Sequence, residues 1–187
     1  VNWLVLALFL QAPAPAVAET PVATARTADA SLPESLAREL IPAYQRLSPT
    51  LAIGGQPAPE ALARLGEWGF RTVINLRPPS EPGVAAEEEA LRAAGLRYVS
   101  IPVTAETLDW EAAQRLEAAL AESATQATLL HCSSSNRVGA LLALIEARAG
   151  ADSAAALERG RRLGLAPGKT TERVTKLLES RCLGGAC

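Results

Sequence analysis

The sequence predicts an α/β fold: a central, largely parallel sheet of four to five strands flanked by helices. Short β-branched or leucine-rich runs, such as Thr72-Val73-Ile74-Asn75-Leu76 and Ala127-Thr128-Leu129-Leu130-His131, read as buried strands. They alternate with longer segments whose apolar residues recur at helical spacing, and that alternation is what builds a parallel sheet. The length of 187 residues supports one well-buried domain. With 4% aromatics and abundant alanine, its core is aliphatic and helix-rich. A net charge of -2 gives no attraction to nucleic acid or to an anionic membrane surface.

Residues 1–18 read as a secretory signal. An apolar stretch over 3–10, too short to span a bilayer, leads to Ala16-Val17-Ala18, an A-x-A cleavage site. Cleavage after Ala18 leaves a periplasmic or secreted protein without stable membrane contact; the alternative is an uncleaved anchor. Residues 19–33 are an Ala/Thr/Pro-rich linker, 34–180 the domain, and 181–187 a tail.

A first helix is expected over 34–46, interrupted near Pro42. Leu51-Ala52-Ile53 is a short strand stopped by Gly54-Gly55-Gln56-Pro57. Pro59 opens a helix with apolar positions Leu62, Leu65 and Trp68, ending at Gly69. The strand over 72–76 runs into Arg77-Pro78-Pro79. The helix over 84–94 carries Glu87, Glu88 and Glu89 in its early turns, read as a solvated face, and stops at Gly95. A strand over 98–103, a helix over 110–121 and the strand over 127–131 follow. Beyond them Val138, Leu141, Leu142 and Ile145 trace one helix face, and helices over 153–163 and 171–180 close the domain.

Function concentrates in His131-Cys132-Ser133-Ser134-Ser135-Asn136-Arg137, where the last strand turns into a helix. Ligands of parallel sheets bind outside the carboxyl ends of the strands, which is where Cys132 falls. Loop N–H groups and the first turn of the following helix cradle an anion there. Arg137 adds a permanent charge in a planar fork that fits phosphate or sulfate oxygens. His131 can fix the loop by a local hydrogen bond. Together these favour the thiolate and make Cys132 a covalent nucleophile. The competing reading is a small buried hydrophobe, but a core position has no use for the polar residues and arginine that follow.

Three cysteines make an odd number. Cys182 and Cys187 bracket Leu183-Gly184-Gly185-Ala186 and either close a small ring or stay unpaired; closing it leaves Cys132 as the free thiol.

His131-Cys132 with Arg137 entering an apolar helix resembles the signature of cysteine-dependent protein tyrosine and dual-specificity phosphatases. More closely, the chain is similar to the bacterial phosphatase-like domain of beta-lactamase-hydrolase-like proteins. Ile53-Gly54-Gly55-Gln56-Pro57-Ala58-Pro59-Glu60, Gly69-Phe70-Arg71-Thr72-Val73-Ile74-Asn75-Leu76-Arg77 and residues 129–141 carry that resemblance, within about 47–163. It implies a tyrosine/dual-specificity phosphatase-like fold, Cys132 as nucleophile and Arg137 as oxyanion binder. Ser133, Ser134, Ser135 and Asn136 would supply loop N–H donors.

The chain departs from that signature in three places. Its cysteine and arginine are separated by one residue fewer, Ser135 stands where glycine is preferred, and Val138 replaces a hydroxyl residue. The shorter spacing resembles the active loop of rhodanese-type sulfurtransferases. A phosphoester also needs a proton for its leaving group. Glu106 and Asp109 follow the strand over 98–103; Asp109 precedes the next helix and reads first as its N-cap, which leaves Glu106 the freer acid candidate. Arg77, at a neighbouring strand end, is either a substrate contact or a surface residue. No metal or cofactor site is expected, since one histidine and distant cysteines give no ligand spacing.

Three functions stay open: a hydrolase working through a cysteinyl-phosphate, a sulfurtransferase carrying a persulfide on Cys132, and an inactive anion-binding module. The partner in each is a small anionic or phosphorylated molecule. The oligomeric state is not readable.

Overall fold

The computed structural model describes residues 34–183. The expected signal, linker and Cys182–Cys187 pairing lie outside the described residues. In chain order the elements are α1 (Glu34–Leu40), β1 (Gln45–Ser48), β2 (Leu51–Gly54), α2 (Pro59–Leu62), β3 (Thr72–Asn75) and α3 (Val84–Ala93). There follow β4 (Arg97–Ser100), α4 (Trp110–Glu122), β5 (Thr128–His131), α5 (Asn136–Arg148), α6 (Ser153–Arg162) and α7 (Lys169–Leu183). Among the described residues no helix is long and apolar enough to cross a membrane.

The sheet has the order β1-β2-β5-β3-β4 and is parallel except for β1, an antiparallel edge strand. The predicted α/β class and largely parallel sheet are therefore the observed ones. Every residue of β3 and β5 is buried. Alternation along the strands divides their side chains between two layers. Ile53, Ile74 and Leu130 pack into a cluster with α4 to α7, while Ala52, Val73 and Leu129 pack into a second cluster with α1 to α3. Each such aliphatic side chain contributes about 1.5–3 kcal/mol by leaving water.

The same alternation sends His131 and Cys132 to opposite layers, with Cys132 in the cluster of α5. Registers align Gly54 and Asn75 with His131, so three strand ends form one edge where chemistry can gather. Chains leaving β2 and β3 go to one layer and the chain leaving β5 goes to the other. That divergence opens a crevice at the carboxyl edge.

Helix α5 is held unusually close to α6. A Cβ on Gly139 would lie 2.5 Å from the Gly160 carbonyl oxygen and 2.6 Å from the Leu165 amide nitrogen. Only glycine lets these backbones meet, and that meeting fixes the axial position of α5.

Three local expectations need correction. The first helix ends at Leu40 rather than continuing to 46, and Gln45–Ser48 form β1 instead. Pro42 breaks the helical ladder, and Ala43 turns the chain at φ 52. The α-helix from Pro59 ends at Leu62. Beyond it Leu65 and Trp68 are still buried, but on successive turns rather than a continued helix. The acidic run of α3 is solvated at Glu88 and Glu89 but not at Glu87, which is 2% exposed.

Candidate active site

Cys132 stands immediately after β5, fully buried, under a loop that ends where α5 begins. That loop is tied to the end of β2: the Gln56 N–H donates to the Ser133 carbonyl at 3.0 Å, and Gly55 bridges to Ser134. A Cβ on Gly55 would come within 2.8 Å of the Ser133 oxygen, so glycine permits this approach too.

Ser135 precedes α5 with φ 69, the left-handed region that costs a residue with a Cβ about 1 kcal/mol or more. Its buried hydroxyl donates to the Leu163 carbonyl at 3.0 Å, which holds it there. The Asn136 side chain accepts from the Ala166 N–H at 3.0 Å and donates toward Thr170 at 3.4 Å. The side chains of Ser135 and Asn136 therefore brace the loop against the segment after α6. What they can offer an anion is backbone N–H.

Arg137, in the first turn of α5, turns its guanidinium back over the loop. It donates to the Val103 carbonyl at 3.1 Å and to the Ser133 hydroxyl at 2.9 Å. Both arms of its fork also engage a carboxylate absent from the expected set, Glu81, at 2.6 and 3.2 Å. Glu81 comes from Pro78-Pro79-Ser80-Glu81-Pro82, the loop after β3. It further accepts from Ser133 Oγ at 2.7 Å and from Arg77 Nε at 2.9 Å. Burial alone would push this carboxyl up. Hydrogen bonds from Arg137, Ser133 and Arg77, with the charge of Arg137, outweigh it and hold the group at about 2. Burial on its own would lower the Arg137 pKa, yet the hydrogen bonds and charge of Glu81, with the neighbouring Cys132, raise it above its ordinary value.

On the opposite face of the sheet, His131 meets Glu87 of α3, with Nε2 2.7 Å from Oε1. Its Nδ1 lies 3.4 Å from the Cys132 carbonyl oxygen. Gln56 donates to Glu87 at 2.9 Å and Asn75 donates at 3.3 Å. Desolvation would raise the Glu87 carboxyl, but the His131 contact, Gln56 and Arg77 bring it below the usual carboxylate range. Arg77 is buried between the two acids. It donates to Glu81, to Glu87 at 3.4 Å, to the Pro82 carbonyl at 2.6 Å and to the Gln56 side chain. It reaches the mouth only through Glu81.

The mouth is a cavity of about 280 Å³ whose lining includes Glu81, Thr104, Ser134, Asn136, Arg137 and Thr170. Asp109 caps α4, accepting the Ala112 N–H at 2.7 Å. Glu106 is exposed near the rim; hydrogen bonds from Thr104 and its own backbone hold it below its ordinary value. The two acids that touch the site chemistry, Glu81 and Glu87, were not singled out from sequence. Glu87 left a trace, for it falls between Val84 and Leu91 on the buried stripe of α3. Glu81 left only its place in a loop at the carboxyl edge.

The family described as "Beta-lactamase hydrolase-like protein, phosphatase-like domain" matches residues 43–149, a span that takes in β1 to α5 and the whole cysteine loop, though not the segment after α6 that braces Ser135 and Asn136. The chain belongs to this family. Beta-lactamase hydrolase-like proteins of Xylella fastidiosa and Agrobacterium fabrum are 38% and 34% identical to it over 100 and 106 residues. Those matches cover 51% and 54% of this chain but only 23% and 24% of the relatives, so the chain spans about a quarter of their length. Solved structures agree in fold. A DUF442 protein of Shewanella putrefaciens superposes with TM-score 0.61 at 24% identity, over 77% of this chain and 95% of its own. TpbA of P. aeruginosa, in a complex with phosphotyrosine, gives 0.59 at 23% identity over 76% and 86%. The fold is that of the protein tyrosine phosphatases, as the resemblance implied.

Proposed function

We propose that the chain is a cysteine-dependent phosphatase-like hydrolase acting on phosphate monoesters. The observation that carries this reading is the convergence, over one buried thiol, of the Arg137 fork, the Ser133 hydroxyl and the loop at the start of α5. Those donors present two or more hydrogen bonds to a tetrahedral oxyanion. The Cys132 thiolate attacks phosphorus as the ester oxygen departs, leaving a cysteinyl-phosphate that water then hydrolyses. Membership of a phosphatase-like family and the phosphotyrosine bound by TpbA support a phosphorylated small substrate. The hydrophilic mouth favours one whose leaving group is polar. Action outside the cytosol, proposed from residues 1–18, is tested by sequencing the mature N-terminus.

The shortened loop gives sulfur transfer a specific argument of its own, so the test runs both reactions. Purified protein is offered para-nitrophenyl phosphate and, separately, thiosulfate with cyanide. Phosphate release that disappears in Cys132→Ser is the expected result. Thiocyanate formation with a persulfide mass on Cys132, and no phosphate release, would replace the hydrolase reading. Silence in both assays, with sulfate still raising the melting temperature, would leave an anion-binding module.

A further inference from the structure

We propose that Glu81 is a displaceable stopper of the anion cradle and, once phosphate has displaced it, the acid that protonates the leaving oxygen. The second half rests on the phosphatase reading above; the first does not.

The Glu81 carboxylate takes both arms of the Arg137 fork and the Ser133 hydroxyl. These are the donors a phosphate needs when it sits in line with Cys132. Carboxylate and phosphate compete for them, and one must leave. Glu81 cannot go far, because Arg77 holds its loop through the Pro82 carbonyl at 2.6 Å. A side-chain rotation therefore moves the carboxyl off Arg137 while keeping it beside the bound anion.

That exchange reverses the carboxyl's surroundings. In the free site it faces Arg137 from α5, Arg77 from the end of β3 and the Ser133 hydroxyl of the loop. In the complex Arg137 is neutralised by phosphate, Arg77 is still shared with Glu87, and a doubly charged anion is the nearest neighbour. Like charges so close disfavour ionisation, so Glu81 takes up a proton as the substrate binds. Glu106 and Asp109 have no comparable push: one is exposed and the other is occupied as a helix cap.

The step then balances. The Sγ–P bond forms, the P–O ester bond breaks, and the leaving oxygen takes its electron pair and the Glu81 proton. Water next attacks phosphorus, Glu81 recovers a proton from it, the S–P bond breaks, and thiolate and inorganic phosphate result.

Sulfate, which stays doubly charged throughout, tests the stopper in Cys132→Ser protein. Its affinity should weaken as pH rises above about 4, by up to roughly tenfold per unit for one coupled proton, and level off once the carboxyl is ionised in the complex as well. Adding Glu81→Gln should make sulfate bind more tightly at the alkaline end and remove that slope, and Glu81→Ala should do the same. Equal affinity and equal slope with and without Glu81 would overturn the stopper. Turnover tests the acid: Glu81→Gln should lose far more activity on phenyl phosphate than on para-nitrophenyl phosphate, whose leaving group needs little help. An equal loss on both esters would reduce Glu81 to a residue that positions Arg137. A selective loss in Glu106→Gln instead would move the acid to that loop. Should the unaltered protein hydrolyse no ester at all, the phosphatase reading fails while the sulfate comparison still judges the stopper.

Discussion

Replacing Gly139 by alanine asks whether α5 sits where Arg137 needs it. The new Cβ would stand 2.5 Å from the Gly160 oxygen and 2.6 Å from the Leu165 nitrogen, roughly 1 Å inside ordinary contact. Neither neighbour is a side-chain tip that can swing away; both are backbone. Relief requires α5 and α6 to separate, and overpacking of this kind costs about 1–3 kcal/mol. The shift also strains the hydrogen bond from the Leu165 N–H to the Gly160 carbonyl, 2.9 Å long and worth about 1 kcal/mol. A loss of about 2–4 kcal/mol lowers the melting temperature by roughly 4–16 °C for a chain of this size. Because Arg137 is two residues upstream on the same helix, phosphate release should fall as well. Gly66→Ala is the control: its Cβ would meet Leu96 at 3.5 Å, an ordinary contact, and stability should stay within about 1 kcal/mol. An unchanged midpoint for Gly139→Ala in urea would sink the packing argument. A lower midpoint with unchanged kcat/KM would show that Arg137 is placed independently of the helix contact.

Glu81 and Glu87 are both held below their ordinary range, so each contributes stability that is complete above the unfolded carboxylate range and lost as pH falls through the folded value. For Glu81 the window runs from 4.5 down to about 2, and Glu81→Gln should flatten part of the acid side of a stability–pH curve measured by urea melts. Glu87→Ala leaves His131 and Arg77 facing an emptied, buried site and should cost about 3–5 kcal/mol, while Glu87→Gln should cost visibly less; equal losses would deny the charge any role. Ser135→Ala removes the bond to the Leu163 carbonyl and keeps the left-handed strain, so it should lose about 1–2 kcal/mol. Ser135→Gly, which gives up the bond but relieves the strain, should be the milder change in the same melts. Arg137→Lys retains charge without the fork and should lower kcat/KM for para-nitrophenyl phosphate by about a hundredfold or more; near-normal rates would show that point charge suffices.

What the sequence revealed and concealed divides along physical lines. The buried strands were legible because β3 and β5 are apolar on both faces and short, and Pro or Gly signals bound them. β1 was not, for Gln45-Arg46-Leu47-Ser48 is a half-exposed edge strand with no buried side to repeat. Cys132 and Arg137 were found because their chemistry and spacing are local. Glu81 and Glu87 were missed because their partners lie 52 and 44 positions away, at Ser133 and His131, and acidity alone reads as solvation. Asp109 shows the opposite case. A capping residue is defined by the next few N–H groups, so that role was visible beforehand.

His131 and Cys132 are neighbours in the chain but belong to different layers, one anchored by α3 and the other roofed by α5. The site is thus a rivet through the sheet. Neither half of the molecule can assemble it alone, and Cys132 acquires its surroundings only after both sides have closed. A chain caught with one layer detached would carry a cysteine without its arginine or without its histidine anchor. If Cys132 is the nucleophile proposed above, activity in this protein reports on complete folding, and a partly folded chain holds the thiol without the groups that would direct its chemistry.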